Sequence, residues 1–468
     1  MHTKLFTDHC LVCHGSVLLF QPSPNGKPVR RLINGLLLLL LLLPVFPAKA
    51  QTAADPALLA EINRIKAVDN HAHPKRVVAE GETDTDEEYA ATPSPLDLPV
   101  RLRPDNHEYV AAWRGLYGYR HGDMSEAHLR ELMAMKRRVK RERGDSYSTW
   151  VLDRLGIEVM LANRVTMGRG LAGPRFRWTP YADALMYPLD NTGMGRANPD
   201  YGARFAGSDR LLKRHLTELP LSGLPATLDA YLAQVVTPLL ERWKAAGAVA
   251  VKFATAYHRP LNFEDVPESR AESVYARFVG GGEPPAADYK ALQDFLFHYI
   301  AREAGRLGLV VHVHVGAGAS GYFNQNGANP FTLEPALNDP DLRKTNFVLV
   351  HGGLPNAKAT RALLYKPNVY ADFSGQTFLT STRELSEVLR SWLEFVPEKV
   401  LFGSDTFEIT PEVGWEELGW LTTNSGRQAL ALALTGMMQD RQITRKRAVE
   451  LARMVLRENA VKLYGLSR

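Results

Sequence analysis

The sequence predicts an α/β fold, and more specifically a (β/α)8 barrel of the TIM type with loop insertions. Short runs rich in β-branched residues alternate with helical stretches through most of the chain, which is the pattern of parallel strands joined by crossover helices. The strand runs are apolar, as strands covered on both faces are. Seven clear runs and one weaker run make eight units, and residues 51–468 are long enough for one barrel with insertions. A doubly wound open sheet is the alternative.

The elements follow one another in the order that such a barrel requires. The seven clear strand candidates are short and apolar, and they are Ala67–His71, Glu158–Asn163, Ala248–Ala254, Leu309–Val315, Phe347–His351, Val369–Phe373 and Lys399–Gly403. The weaker candidate is Phe176–Trp178. The helix candidates are longer stretches, and they are Ser125–Arg143, Leu228–Ala246, Tyr289–Leu307, Thr382–Phe395, Gly426–Gln439 and Thr444–Leu463.

Two segments between these elements are expected to be loop-like insertions. Residues 76–124 are rich in proline and acidic residues, with an acidic stretch around Glu80–Glu88, and residues 188–224 are rich in glycine, proline and asparagine. Both would lie beyond strand ends, where barrels carry their sites. The basic run Lys136–Arg143 has the amphipathic spacing of a helix, and we interpret it as a solvated helix face.

The charge of the chain is concentrated in its first 50 residues. The formal net charge is +5, and residues 1–50 contribute +4 of it. The remainder is nearly neutral, so no nucleic acid or other polyanion is expected as a partner. With 45% hydrophobic and 23% charged residues, the composition excludes a wholly disordered, collagenous or multi-span membrane protein.

Residues 1–50 have the layout of a secretory signal peptide. The pair Arg30-Arg31 precedes the apolar run Leu36–Leu43, and Ala48-Lys49-Ala50 is a small-x-small cleavage pattern. The apolar run is well short of the roughly 20 residues of a membrane span. We therefore expect cleavage near Ala50, a periplasmic or secreted barrel domain of residues 51–468, and no membrane anchor after cleavage.

Both cysteines lie in this leading segment. Cys10-Leu11-Val12-Cys13-His14 matches the C-x-x-C-H haem-attachment pattern, but cleavage would remove it, so no haem is expected. Residues 1–28 are interpreted as a start-site artefact, because Val29 directly precedes the arginine pair and valine codons serve as bacterial starts. A chain cleaved near Ala50 has no cysteine, which excludes a disulfide, a thiolate nucleophile and a cysteine-ligated zinc.

The functional signal is a set of histidine, lysine and aspartate side chains at strand ends. His71 and His73 form an H-x-H pair at the end of the first strand, where a period of two turns both side chains to one face. The other members are Lys252, His312, His314, His351 and Asp405. The ends of barrel strands converge on one mouth, and imidazole and carboxylate are the ligands that a zinc-type cation prefers. The sequence therefore predicts a divalent metal site, with zinc favoured over manganese.

A glycine motif after the fifth of these strands points to a different ligand. Residues Gly316–Gly321 satisfy G-x-G-x-x-G, the pattern of a dinucleotide site. Such a site also needs a helix beginning at the motif. Residues 322–330 have the composition of a loop, so no dinucleotide cofactor is expected.

The chain resembles the amidohydrolase superfamily, specifically its amidohydrolase-2 branch. Four segments carry the resemblance: Val68-Asp69-Asn70-His71-Ala72-His73-Pro74, Val350-His351-Gly352-Gly353-Leu354-Pro355, Val400-Leu401-Phe402-Gly403-Ser404-Asp405 and the closing run Glu458–Leu466. Two more, Val251–Tyr257 and Val313–Gly316, look like the amidohydrolase domain of FluG-type proteins. The resemblance covers residues 60–468 and implies a distorted (β/α)8 barrel with one or two divalent ions.

The resemblance also implies roles for single residues. By motif position His71, His73 and His314 are ligands, and Asp405 is both a ligand and the catalytic base. His351 either acts catalytically or binds a second ion. Lys252 is either a carboxylated bridge between two ions or an uncarboxylated substrate-binding lysine, while His312 belongs to an inner layer of the barrel. FluG-like chains carry an acidic residue shortly after position 318, where this chain has Ala319 and Ser320.

The activity implied is that of an exported metal-dependent hydrolase. Metal-activated water would attack the amide or ester-type carbonyl of a small substrate, and Asp405 would orient that water and take its proton. His351 would steady the oxyanion if it does not bind a second ion. Tyr257 and Arg259 follow the Lys252 strand and are candidates to hold a substrate carboxylate.

Two other functions are compatible with the same residues. A decarboxylase or other carbon–carbon lyase of the same branch would share both scaffold and metal. An exported solute-binding barrel would bind its ligand tightly without turnover. The sequence leaves the substrate and the oligomeric state open.

Overall fold

Eight short parallel strands occupy the centre of the computed structural model, which describes residues 53–79, 82, 84, 98–318 and 322–466. The strands are β1 Ala67–Ala72, β2 Ile157–Asn163, β3 Phe176–Thr179, β4 Ala250–Phe253, β5 Val310–His314, β6 Phe347–Val350, β7 Val369–Asp372 and β8 Val400–Leu401. All eight predicted strands are thereby confirmed, including the weak one. The signal segment, the C-x-x-C-H run, Ala319, Ser320 and Gly321 lie outside the described residues.

The strands pair in sequence order as two parallel sheets, β1-β2-β3 and β4-β5-β6-β7-β8. Backbone hydrogen bonds join the sheets between β3 and β4, where the Val249 N–H donates to the Trp178 carbonyl (3.1 Å) and the Lys252 N–H donates to the Pro180 carbonyl (2.8 Å). Neighbouring strands in a barrel exchange bonds of this kind. The sheets therefore continue into one another at this junction.

A second junction lies between the first and the last strand. The Asn70 N–H donates to the Phe402 carbonyl (2.9 Å), and just beyond β8 the Asp405 N–H donates to the His71 carbonyl (2.7 Å). These bonds complete a ring of eight parallel strands, so the predicted TIM-type barrel is confirmed. The ring also makes the ends of β1 and β8 direct neighbours.

Helices follow most strands and cover the outside of the barrel. Helix α1 Pro56–Asn63 precedes β1. The helices after β1 are α2 Glu108–Tyr117, α3 Glu126–Arg143 and α4 Tyr147–Leu155, and those after β3 are α5 Thr192–Ala197, α6 Gly202–Glu218, α7 Leu228–Tyr231 and α8 Thr237–Ala245. Those after β4 are α9 Glu268–Phe278, α10 Ala286–Arg306, α11 Glu334–Asn338, α12 Ala357–Leu363, α13 Gln376–Leu379, α14 Thr382–Leu393, α15 Trp415–Gln439, α16 Arg445–Arg453 and α17 Asn459–Tyr464. Among the described residues no helix is both long and apolar enough to cross a bilayer.

The expectation that residues 76–124 and 188–224 are loop-like is wrong for part of each segment. The first contains α2, which buries Tyr109 and Trp113, and the second contains α6, which buries Phe205 and Leu212. Apolar residues three and four apart give both helices a buried stripe, whereas the proline- and glycine-rich flanks dominate the composition of the segments. Most of the acidic stretch 80–88 lies outside the described residues.

Two helix predictions also need correction. Helix α15 begins at Trp415 rather than Gly426, and the Glu417 side chain accepts a hydrogen bond from the Gly414 N–H at its start (2.8 Å). The basic run on α3 is not wholly a solvated face, because Lys136 is 3% exposed and its Nζ lies 2.8 Å from the Glu417 carboxylate. The start of α15 therefore supplies the buried charge that draws this lysine inward.

Helix α17 and the residues that follow it contribute to the apolar interior of the barrel. The inner apolar cluster contains Val68, Leu161, Ala250, Val310, Val348, Val350, Leu401, Ala460 and Leu466. Ala460 belongs to α17, and Tyr464 at the end of that helix bonds to Asn70 on β1 and to His312 on β5. The predicted inner-layer position of His312 is where the structure places it, fully buried and 2.7 Å from the Tyr464 hydroxyl.

Candidate metal centre

Three of the predicted ligands meet at the carboxyl ends of β1 and β8. Nε2 of His71 lies 3.3 Å from Oδ1 of Asp405, and Nε2 of His73 lies 3.4 Å from the same oxygen. The period of two along β1 turns both histidines toward Asp405, which the second barrel junction holds beside them. Within the described part of the chain this is the one group of three side chains spaced to hold a metal ion.

These distances fit a bound cation. A tetrahedral ion with ligand bonds of about 2.0–2.1 Å separates neighbouring ligand atoms by about 3.3 Å. The spacings from Asp405 to both histidines match that value. A carboxylate with two imidazoles is also the donor set of a catalytic site that keeps positions open for water and substrate.

The side chains have the protonation states that ligands need. Burial lowers the pKa of His71, His314 and His351 well below the ordinary value for histidine, so their rings are neutral and keep a lone pair. Burial opposes ionisation of Asp405, but its contacts with His351 and His73 outweigh that effect and lower its pKa. The centre therefore presents imidazole nitrogens and a carboxylate at neutral pH.

His314 and His351 lie next to this group. Their ring centroids are 4.5 Å apart, and the His351 ring lies 5.2 Å from that of His71. Nε2 of His314 is 3.2 Å from the Ala317 carbonyl, to which only an N–H can donate. His314 is thus beside the ligand group without being part of it, and its predicted role as a ligand stays a prediction.

Lys252 projects from β4 into the same space. Its side chain is 2% exposed, and its Nζ lies 3.4 Å from Nε2 of His71. Burial lowers the pKa of Lys252 to about 8, although the nearby carboxylate of Asp405 acts in the opposite direction. A lowered pKa enlarges the neutral amine fraction, which carboxylation requires. The two predicted roles of Lys252 remain open.

The backbone at two site residues is strained. His351 has a φ of 70° and Asp405 a φ of 53°, which is a region that residues other than glycine rarely occupy. Such strain costs about 1–3 kcal/mol at each position and persists where the surrounding structure holds it. Gly375, at φ 71°, allows the close approach, because a Cβ there would lie 3.1 Å from Nδ1 of His351.

The two predicted substrate contacts differ in their surroundings. The Tyr257 ring lies 4.7 Å from the His314 ring, and the guanidinium of buried Arg204 lies 4.1 Å above it. Arg259 is instead paired with Asp294 at 2.6 Å and with Gln293 at 3.3 Å. A cavity of about 660 Å³ is lined by both Tyr257 and Arg259, and Tyr257 is the member of that lining that contacts His314.

Sequence reasoning missed three side chains of this region. Asp372 ends β7, and Ser374 follows it, so both could have been found by the strand-end rule that selected Asp405. Arg204 lies on α6, in a segment expected to be loop, and no local pattern marks it. The described part of the G-x-G-x-x-G run, Gly316 to Gly318, is followed by a helix-free stretch at 322–329.

Comparisons with known proteins agree with this geometry. The amidohydrolase family profile Amidohydro_2 matches residues 220–466. Protein fluG of Emericella nidulans is 28% identical over 232 residues, and the match covers 47% of this chain and 26% of fluG. The chain thus aligns with about a quarter of that relative.

Solved structures show the same fold at low sequence identity. A protein of Lactobacillus casei described as a metal-dependent hydrolase has a TM-score of 0.60 and 16% identity, over 87% of this chain and 97% of that one. Glucuronate isomerase of Caulobacter crescentus has a TM-score of 0.54 and 14% identity, over 90% and 97%. Uronate isomerase of Thermotoga maritima has a TM-score of 0.51 and 15% identity, over 87% and 96%.

Proposed function

The chain belongs to the amidohydrolase family of metal-dependent enzymes, and on that premise we propose that it is an exported hydrolase of amide or ester-type bonds in a small substrate. The observation that carries the proposal is the spacing of His71, His73 and Asp405, which suits one divalent ion. We propose zinc, because two imidazoles and one carboxylate are ligands that it favours. Manganese is the alternative ion.

The chemistry follows from where the atoms of Asp405 lie. An ion held by His71, His73 and Asp405 would activate a water molecule and polarise the substrate carbonyl. Oδ1 of Asp405 faces the two histidines, while Oδ2 lies 3.7 Å from Nδ1 of His351 on the other side. The carboxylate can therefore accept the proton of the attacking water and pass it to the leaving group.

We also propose that the substrate carries an anionic group near Tyr257. Arg204 is buried, and its guanidinium lies 4.1 Å above the Tyr257 ring. Tyr257 lines the cavity, and the positive charge against its ring favours a negative group on a substrate bound there. Arg259 is the weaker of the two predicted contacts, because Asp294 already balances its charge.

The central experiment measures metal content and reaction products together. We expect bound metal in the purified protein and its loss in a His71→Ala/His73→Ala variant. A His121→Ala/His128→Ala variant is the matched control, because those histidines stack at 3.5 Å on the surface away from the centre. Hydrolysis of amides or esters that disappears with the metal supports the proposal. Metal-dependent carbon dioxide release without hydrolysis contradicts it in favour of the lyase, and tight ligand binding without turnover contradicts it in favour of a binding protein.

Export is a separate part of the proposal. The first described helix begins at Pro56, with Asp55 as its cap (2.9 Å to the Leu58 N–H), and the Asp55 N–H donates to Thr435 (3.0 Å). The first contacts in the described part of the chain thus involve a residue five positions after the proposed cleavage position at Ala50. Amino-terminal sequencing of protein from the periplasmic fraction is expected to start at Gln51. Recovery of the run Leu36–Leu43 in that protein would contradict cleavage.

A further inference from the structure

The Ser374 hydroxyl contacts the ring of His351 and is itself bonded to the carboxylate of Asp372. Both Asp372 and Ser374 are fully buried. The Ser374 Oγ lies 2.6 Å from Oδ1 of Asp372 and 3.0 Å from Nδ1 of His351. These three polar groups therefore form a short hydrogen-bonded chain that ends on one nitrogen of the histidine ring.

The direction of these hydrogen bonds is fixed by the backbone. The N–H groups of His351 (2.9 Å) and Ser374 (3.0 Å) both donate to Oδ1 of Asp372. Backbone amides always donate, so Oδ1 is an acceptor and the Ser374 hydroxyl must donate to it as well. The Ser374 oxygen then has only its lone pairs left for His351. Nδ1 of His351 must carry the hydrogen in that contact.

The other carboxylate oxygen is held just as firmly. Oδ2 of Asp372 accepts from the Asn70 side-chain amide at 2.6 Å, and the Asn70 carbonyl oxygen accepts from Tyr464 on α17. Asp372 is thus bonded on both oxygens, to His351 just after β6, to Ser374 in the turn after β7 and to Asn70 on β1. Its orientation is set by the barrel itself rather than by a bound ligand.

We propose that Asp372 and Ser374 are positioning residues that hold His351 as its Nδ1-protonated tautomer and leave the lone pair on Nε2. Nε2 of His351 makes no hydrogen bond within the described part of the chain, and its ring lies beside those of His314 and His71. His351 then offers a lone pair, either as a ligand to an ion or as a hydrogen-bond acceptor from water. It does not donate an N–H to an oxyanion, which excludes one of the roles that the family resemblance allowed.

The tautomer is a property of the chain, whereas its use at a metal rests on the proposed function. The test is nitrogen NMR of protein with 15N-labelled histidine, as purified and again after dialysis against a chelator. The signals of His351 are those that disappear in a His351→Gln variant. We expect Nδ1 protonated and Nε2 unprotonated in both samples. A proton on Nε2 in the wild type overturns the proposal and leaves the proposed metal site untouched.

A second measurement tests whether Ser374 sets the tautomer. In Ser374→Ala we expect a mixed or Nε2-protonated ring, and metal affinity or turnover lower by about 10- to 100-fold, as for other partners of metal-site histidines. The control is Ser386→Ala, which removes a buried hydroxyl that donates to the Arg383 carbonyl on α14 (2.6 Å) and lies on a helix that carries none of the site residues named above. A fully Nδ1-protonated His351 in Ser374→Ala overturns the role of Ser374.

Discussion

Replacing Lys136 by methionine should destabilise the barrel more than the same change at Lys140. Both lysines lie on α3 and approach the first turn of α15. Nζ of Lys136 is 2.8 Å from Glu417, with side-chain exposures of 3% and 0%, whereas Lys140 is 48% exposed and 3.5 Å from Glu416. Lys136 also donates to the carbonyls of two residues just before α15. Each variant therefore removes one lysine ammonium from beside a buried glutamate. The lysine itself is buried at position 136 and half-exposed at position 140.

The expected magnitudes follow from that difference in depth. Removing one partner of a buried ion pair costs about 3–5 kcal/mol, because the other charge stays buried and unpaired. Lys140 is half-exposed, but its partner Glu416 is 1% exposed and keeps the Tyr147 hydroxyl as a donor at 2.7 Å when the lysine is removed. We therefore expect Lys136→Met to lower the free energy of unfolding by about 3–5 kcal/mol at pH 8. We expect Lys140→Met to lower it by about 1–3 kcal/mol, the cost of removing one partner of a buried polar group.

The loss in Lys136→Met should also depend on pH. Burial raises the pKa of Glu417, with the charge of Glu416 adding to the effect, so the folded state binds a proton at a higher pH than the unfolded state does. Such a group makes stability fall as the pH rises through its raised pKa. Loss of Lys136 raises that pKa further. The penalty should therefore be smaller at pH 5.5 than at pH 8.

Equilibrium unfolding in urea, followed by circular dichroism at both pH values, measures these quantities. Equal losses in the two variants would refute the reasoning, as would a loss in Lys136→Met that grows on acidification. Neither lysine contacts the metal centre, so the folded fraction of both variants should keep its activity.

Three further predictions concern the site itself. Asp405→Asn should abolish turnover while the urea unfolding curve stays that of a folded barrel; retained turnover would refute Asp405 as the base. Gly375→Ala should cost about 1–3 kcal/mol of backbone strain, because φ 71° and ψ −45° is a conformation rarely taken by residues other than glycine. It should also lower activity, because its Cβ would lie 3.1 Å from Nδ1 of His351. Gly118→Ala, in the left-handed helical conformation with open space around it, should cost about 1–2 kcal/mol and keep full activity. Arg204→Met should raise KM about tenfold or more, as loss of a charged hydrogen bond does. Arg259→Met should mainly lower stability, because it removes the ion pair to Asp294. The reverse pattern in steady-state kinetics and urea unfolding would contradict both assignments.

The strands and the proposed ligand pair at the end of β1 were predictable because their signals are local. Most of the strands are short apolar runs, and the H-x-H spacing of His71 and His73 carries both its period and its chemistry in the sequence itself. The same holds for Asp405, which follows a short apolar strand. Burial on both faces makes such strands stand out, and even the weak run at Phe176–Trp178 proved to be β3.

The features that sequence did not show depend on distant partners. Lys136 looked like part of a solvated face, because nothing near it in sequence reveals Glu417, which packs against it from α15. Arg259 was predicted to contact a substrate, which stays a prediction, but its ion pair with Asp294 on α10 could not be seen in the sequence. Arg204 lies in a segment whose composition indicated loop. In each case the deciding neighbour is far away along the chain, and only the folded barrel brings it close.

The junction between β1 and β8 has a consequence for how the enzyme is made. His71 and His73 leave the ribosome long before Asp405 does, so a nascent chain holds two of the three proposed ligands for most of its synthesis. The three proposed ligands come together only when the last strand docks on the first. An ion bound to them would therefore stabilise the closed barrel. Free ion at a thousand times its dissociation constant would add about 4 kcal/mol to the stability of that barrel. Metal starvation would then shorten the lifetime of the folded protein and also remove its activity.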